Sequence, residues 1–347
     1  MIKLWGIYFL IIPLTFITPP FNDKIHKPLI QTFIMNRSLL LLSVIEVLNR
    51  GGFATSERCD VRPRSFDIVA SKDDQILLLK VLSNIDAVSQ EMAEELKRIT
   101  KHLMASPLII GDRMKGRYLE RGVLYRRYGI PSMNLATLSD YILNGIRIYV
   151  YSERGGLYVR INGTAIRRAR LQKGLSLGDL SKMIGVSRRS ISRYEEDLME
   201  TTVSKAIELQ EVLGEDVLTS IDPFFTRVND TSEENTELPS EVLQLMSEIG
   251  FDVHVTPQAP FDAISEDKKR TKILTGSGKN VSSVIKRAKI MSSISRVTGT
   301  MSVVIIEGRS KAKNIDNTVI IEDREVEKIA DTSEFVETLR RKSCMYQ

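Results

Sequence analysis

Cysteine and histidine are scarce in this 347-residue chain. There are two cysteines, Cys59 and Cys344, and three histidines, His26, His102 and His254, all far apart. No CxxC, HExxH or Cys/His cluster exists, so a structural zinc site and a disulfide framework are both excluded. The pattern is that of a reduced, intracellular, cytoplasmic protein. Low-complexity tracts are absent. The one long apolar run is Leu4 to Phe21 (LWGIYFLIIPLTFITPPF), and Pro13, Pro19 and Pro20 interrupt it. It falls short of the roughly 20 residues that a membrane helix needs. Met35 follows, and a clean helical pattern starts at once. Residues 1–34 therefore read as a non-native or disordered extension, with a membrane anchor and a non-spanning apolar arm as the other readings. A phosphate-cradling P-loop is missing too. In "LTGSGKN" (274–280), Ile273 and Asn280 stand where that motif needs a glycine and a Ser or Thr. No nucleotide cofactor is expected, and Gly276 and Gly278 read as a loop between strand and helix.

The remainder has an ordinary globular balance, 42% hydrophobic and 27% charged, and the length suits two or three domains. A net charge of +5 leans toward anionic partners. Residues 35–145 read as α/β: a helix from Ser38 to Asn49 stopped by Gly51-Gly52, strands at 65–71 and 75–82, a helix from Asp86 to Met104, a strand at 106–111, then β-rich and short helical stretches. Residues 146–163 read as a β-hairpin connection turning at Arg154-Gly155-Gly156. Residues 164–222 are helical. The polar segment 223–239 reads as a linker, and 240–347 as a second α/β block. That last block answers to the first: "VIEVLNRGGF" (44–53) to "VLQLMSEIGF" (242–251), Asp67 to Asp262 and Val123 to Val319, at offsets of 195 to 198. It reads as a divergent copy, with Thr275 standing for Lys80 and Ile273 for Leu78.

In the helical block four helices are expected: 164–173 capped by Thr164, 176–184 capped by Ser176, 187–196 capped by Ser187, and 202–213. The core stripe takes in Ile166, Ala169, Leu171, Leu175, Leu180, Ile184, Val186, Ile191, Tyr194, Ile207 and Leu213. Only Gly185-Val186 separates the second helix from the third, so the two must cross steeply. "LSLGDLSKMIGVSRRSISRYE" resembles the helix-turn-helix of the Cro/C1 (lambda-repressor-like) family. Arg167, Arg170, Gly174-Leu175-Ser176, Leu180-Ser181, Gly185-Val186-Ser187, Ile191-Ser192 and Glu195 meet its pattern.

The resemblance implies an all-α module whose helix 187–196 lies in the major groove of double-stranded DNA. Arg188 and Arg189 would then reach guanine edges, Ser187, Ser190, Ser192 and Arg193 would contact bases or phosphate, and Ser176 and Leu177 would approach a phosphate. Leu177 and Gly178 depart from the polar residue usual at that point, and "EEDLMETT" replaces the usual early glycine. From Arg160 to Asp197 nine basic residues face four acidic ones, a surplus that matches the charge of the whole chain.

A helix with Glu46, a strand with Asp67 and a strand ending in Lys80 resemble the restriction-endonuclease (PD-D/ExK) fold. In that family the Asp and an acid two residues before the Lys hold Mg²⁺. Here that acid is Leu78, which cannot ligate a cation. An acid from the next helix, Glu91, Glu94 or Glu95, is the one possible substitute. The expected architecture is therefore a restriction-endonuclease-like α/β block, an all-α helix-turn-helix and a second α/β block. The arrangement resembles an archaeal family of helix-turn-helix regulators from Met35 onward, which implies a non-enzymatic, sequence-specific regulator acting as a homodimer, with no metal and no cofactor. A helix-turn-helix-targeted nuclease is the alternative. Capture of a protein partner or effector by the α/β blocks is a third reading.

Overall fold

The computed structural model describes residues 36–225 and 237–344. The expected extension at 1–34 and most of the linker lie outside these. Block one opens with α1 (Arg37–Arg50), capped by the Asn36 side chain. Strands β1 (Ala54–Thr55), β2 (Ile68–Lys72) and β3 (Gln75–Asn84) form an antiparallel meander. After a 3-10 turn comes α2 (Gln90–Leu103), crossing over to β4 (Ser106–Met114), which lies parallel to β3. The helix expected from Asp86 is split because two side chains, Asn84 and Ser89, each cap a separate start. The short β5 (Arg117–Tyr118) folds back on β4. The hairpin of β6 (Val123–Arg127) and β7 (Ile130–Met133) brings β7 parallel to β4, and α3 (Leu135–Leu143) follows. Along β3, Leu77, Leu79 and Val81 pack toward α1 and α3, while Leu78 packs toward α2. Burial on both faces explains the unbroken apolar run.

The same sheet runs on without a break. β8 (Val150–Glu153) pairs in parallel with β6, and β9 (Gly156–Ile161) pairs with β8. Then come α4 (Gly163–Gln172), α5 (Leu177–Met183), α6 (Arg188–Glu195), β10 (Thr201–Thr202), α7 (Val203–Leu213) and β11 (Leu218–Thr219). β10 and β11 both pair with β9, so the helical block is clasped onto the sheet's end. Downstream, Ile221 donates to the Ile148 carbonyl, and Phe224 sits edge-on to Phe53 and Tyr141 of block one. Both ends of the helical block are thus fastened.

Two expectations inside this block change. Asn162, not Thr164, caps α4, accepting from Ala165 N–H at 3.0 Å. Leu171 is 58% exposed. The buried stripe of α4 passes through Ile166, Ala169 and the stem of Arg170, which leaves position 171 facing outward.

Block two comprises α8 (Glu241–Glu248), β12 (Asp252–Val255), β13 (Ala263–Glu266), β14 (Lys272–Gly278), α9 (Val281–Thr298), β15 (Met301–Ile306), β16 (Asn314–Ile315), β17 (Thr318–Glu322), α10 (Asp323–Val326) and α11 (Thr332–Cys344). Its strand order, β12-β13-β14-β15-β17-β16, matches β1-β2-β3-β4-β7-β6, with the same sense at every pairing.

Register corrects the residue equivalences. Asp67 N–H donates to Leu79 O and Asp262 N–H to Thr275 O, both at 2.8 Å. Leu79 therefore answers to Thr275, Lys80 to Gly276 and Leu78 to Leu274. The path from Asp262 round to Thr275 is one residue longer than that from Asp67 round to Leu79, which moves the offset. Val123 does not answer to Val319 either, because Val319 lies on β17, the counterpart of β7. Gly276 and Gly278 belong to β14, not to a loop. A Cβ at Gly278 would lie 2.2 Å from Val284, so this glycine lets α9 seat against the strand.

The two blocks share one core. Phe66, Val69 and Leu78 merge with Phe261, Ile264, Leu274 and the buried face of α9. Around it, Gln258 O accepts from Ser65 N–H at 2.8 Å, Ser293 Oγ accepts from Glu57 N–H at 2.6 Å, and Lys286 pairs with Asp60 at 2.8 Å. His102 and His254 stack with ring centroids 3.6 Å apart.

Candidate nucleic-acid interface

The helical block builds its surface from short helices started by side chains. Ser176 and Asp179 form a reciprocal capping box on α5: the Ser176 oxygen accepts from Asp179 N–H at 3.1 Å and the Asp179 carboxylate from Ser176 N–H at 2.9 Å. Ser176, through its side chain first and its backbone N–H second, holds the Asp179 carboxyl below its ordinary value. On α6 the Ser187 oxygen accepts from Ser190 N–H at 3.0 Å, and the two hydroxyls lie 2.8 Å apart. Gly185, at φ 63°, makes the turn between α5 and α6.

α6 is anchored by what it buries. Ile191 and Tyr194 enter the core, and the Tyr194 hydroxyl lies 3.0 Å from Thr201 Oγ1. Gly163, at the start of α4, passes so close to the end of α6 that a Cβ there would lie 2.4 Å from Tyr194 O. Arg170 and Glu195 form a bidentate pair with both side chains under one-tenth exposed, and Arg170 also donates to Leu175 O at 2.8 Å. The first arginine-rich helix and the closing glutamate of the sequence pattern are thus one structural bond, and the carboxylate raises the Arg170 pKa further.

The rest of the expected surface divides by partner. Arg160 pairs with Glu200 at 3.4 Å and Arg168 with Glu215 at 3.0 Å. Ser192 donates to Glu196 at 2.8 Å, and Arg193 to Leu198 O at 3.2 Å. Arg188 and Arg189, in the first turn of α6, are exposed and make no hydrogen bond or ion pair among the described residues. Leu177 is half-buried at the start of α5. Sequence reasoning missed Asn162, which caps α4, and Asp197, which ties α4 to the end of α6 by accepting from Gly163 N–H at 2.7 Å. Only the Asn-Gly dipeptide hinted at this.

In block one Asp67, Leu78 and Lys80 are brought together, and Glu46 is not. Glu46 stays 71% exposed on the outer side of α1, 3.9 Å from Arg50. Asp67 is fully buried. Its Oδ2 accepts from Val81 N–H at 2.8 Å, and its Oδ1 lies 2.7 Å from Arg37 and 3.0 Å from Arg64. Lys80 is 3% exposed and donates to Arg64 O at 3.0 Å. Burial lowers its pKa, against the nearby Asp67. Burial also lifts the neighbouring Cys59 thiol to about 11. Leu78 is fully buried among apolar neighbours. Of the substitute acids, Glu91 is exposed, Glu94 accepts from Gln90, and the buried Glu95 turns to Arg98 at 2.8 Å and to Gln258 N–H at 3.3 Å. No group of three or more His, Cys, Asp or Glu placed to hold a metal exists among the described residues. The donor set offers one carboxylate, and that carboxylate faces two guanidinium groups, so these residues do not fit a divalent cation.

Two family models match where the geometry suggests: a PD-(D/E)XK superfamily domain over residues 37–148 and a helix-turn-helix over residues 166–218. Along nearly the whole chain, a Methanosarcina acetivorans protein is 40% identical over 322 residues, 89% of this chain and 98% of the relative. A Methanosarcina mazei protein is 42% identical over the same shares. One from Archaeoglobus fulgidus is 41% identical over 307 residues, 88% of this chain and 98% of the relative. All three carry the name "Putative HTH-type transcriptional regulatory protein". The chain belongs to this archaeal family. No solved structure matches it. Among the described residues no helix is long and apolar enough to cross a membrane.

Proposed function

We propose that this chain is a sequence-specific double-stranded-DNA-binding transcriptional regulator that inserts α6 into the major groove. The observation that carries this reading is the state of Arg188 and Arg189. The back of α6 is locked into the bundle, while these two guanidinium groups stand exposed in its first turn with no partner among the described residues. Such a group can bond both acceptors of a guanine edge. Arg193, Ser192 and Ser190 are held by local bonds and would flank that contact, with Ser176 and Leu177 at the phosphate side. The names of the relatives agree. The described residues of one chain carry one such helix, so a two-fold operator would take two chains, with half-sites about 34 Å apart or a multiple of it. The matching strand order supports reading block two as a divergent copy of block one.

The test is fluorescence anisotropy of the full chain on DNA from upstream of its gene, at near-physiological salt, with excess random competitor. Binding that survives competitor is the expected result. Binding that competitor abolishes leaves only the non-specific phosphate term and defeats the proposal.

The match to a PD-(D/E)XK domain favours a second reading, a nuclease targeted by the helix-turn-helix. Leu78 and the arginines around Asp67 speak against it. Supercoiled plasmid nicked in the presence of Mg²⁺ by the wild type, and not by Asp67→Asn, would establish it.

A further inference from the structure

The two blocks treat one aspartate in the same way with different parts. In block one, Asp67 Oδ2 accepts the N–H of Val81, while Arg37 donates to Asp67 Oδ1 at 2.7 Å and to the Val81 carbonyl at 2.9 Å. In block two, Asp262 Oδ2 accepts the N–H of Ser277 at 2.6 Å, while Arg287 donates to Asp262 Oδ1 at 2.7 Å and to the Ser277 carbonyl at 3.4 Å. Register makes Val81 and Ser277 equivalent. The two guanidinium groups therefore bridge the same pair of acceptors, a carboxylate oxygen and the carbonyl of the strand residue that binds the other oxygen.

They do not descend from one position. Arg37 belongs to α1, the helix ahead of the sheet, and Arg287 to α9, the crossover helix. Their counterparts in the other block are not the arginines doing this work. The acid two residues before the lysine position is leucine in both blocks, Leu78 and Leu274, and both are fully buried. A single carboxylate with an apolar neighbour cannot hold a divalent ion, yet leaving the fully buried Asp67 uncompensated would be costly, while Asp262 keeps 31% of its side chain exposed.

We infer that Arg37, with Arg64 beside it on the same carboxylate oxygen, and Arg287 are built-in counter-ions which stand in place of the divalent cation at the two nuclease-like sites, closing each site to metal while Arg37 and Arg287 pin different helices to the sheet. This rests on the reading of the blocks as non-cutting, and it commits to a cause: the guanidinium, not merely the missing acid, keeps the ion out. Arg37 reaches from the start of α1 to Val81 of β3, so it also ties that helix to the sheet. In block two Arg287 reaches Pro260 O at 3.0 Å as well, which ties α9 to the entry of β13.

The test uses the full chain and Mn²⁺, followed by the electron paramagnetic resonance signal of the free ion and by circular dichroism for folding. Wild type should leave the free Mn²⁺ signal undiminished. Arg37→Met/Arg64→Met/Leu78→Glu and Arg287→Met/Leu274→Glu, which remove the guanidinium groups and restore the acid, should each take up about one Mn²⁺ per chain, and Mn²⁺ should raise their melting temperatures. Leu78→Glu and Leu274→Glu with the arginines retained should take up none. Either single leucine variant binding Mn²⁺ as tightly as the same block's variant without its arginines overturns the role given to them. So does Mn²⁺ uptake by wild type that Asp67→Asn or Asp262→Asn abolishes. Because the wild-type and Arg287 arms do not depend on the buried block-one variant folding, the result stands even if that variant is lost. Plasmid cleavage is read separately, so a chain that neither cuts nor follows this Mn²⁺ pattern would sink the counter-ion assignment and leave the regulator reading intact.

Discussion

The surface of α6 and the pocket around Asp67 hold the same kinds of group and use them oppositely. On α6, Arg188 and Arg189 are exposed and have no partners among the described residues. Around Asp67, Arg37, Arg64 and Lys80 all find acceptors within the chain, and the carboxylate is fully buried. An arginine left exposed contributes little to folding and remains available to a ligand, whereas one enclosed with its partner belongs to the core. Arg170 shows that the division does not follow domain lines, because it lies in the helix-turn-helix and behaves like the block-one arginines.

That contrast can be broken most directly by removing one enclosed partner. Asp67→Ala and Arg170→Ala should each cost about 3–5 kcal/mol of folding stability, since each strands a buried charge. Urea denaturation reads this, and a loss below about 1 kcal/mol would place these pairs with ordinary surface salt bridges. Gly163→Ala should cost about 1–3 kcal/mol by driving a methyl into the Tyr194 carbonyl, and should weaken DNA binding only in proportion to unfolding. Arg188→Ala and Arg189→Ala should do the reverse. Each should cost about 1–3 kcal/mol of binding at one base position while stability stays within about 0.5 kcal/mol. If both weaken all sequences equally, α6 is not reading bases.

The smallest expected effect sharpens the comparison at the seam between blocks. Burial, opposed by the Gln258 amide and Arg98, holds the Glu95 carboxyl above its ordinary 4.5. Its protonated form therefore favours folding below the ordinary value, and that contribution fades as pH rises through the raised one. Glu95→Gln should flatten this part of the stability profile and match or exceed wild type near neutrality by up to about 1 kcal/mol, measured by melting across pH. A variant that instead steepens the fall would show that the Arg98 pair outweighs burial.

Much of the helix-turn-helix was legible in the chain because its determinants are local. Ser176, Ser187 and Gly185 do in the structure what their spacing implies, and the core at Leu180, Ile184, Ile191 and Tyr194 follows helical period. Leu171 was misplaced because two adjacent positions near a helix end both fit the stripe. The unit order of the two α/β blocks was legible too, but not their alignment. A one-residue difference in a connection shifts every later equivalence, and strand period alone cannot detect it. The pairing of Arg170 with Glu195 lay hidden inside a motif that names both residues without saying that they touch.

What the sequence determined by itself is the set of elements and the identity of the groups: capped short helices, apolar strands, an arginine pair opening α6, and a leucine where a metal ligand would be needed. These follow from neighbours within a turn or two. Tertiary structure alone decided which charges are enclosed and which are left open, and in what register the blocks correspond. Arg37 meets Asp67 across 30 residues and Arg287 meets Asp262 across 25, from helices that are not equivalent. Whether a guanidinium becomes a counter-ion or a contact for DNA depends on the solvent and partners around it, and those are set only when distant segments pack.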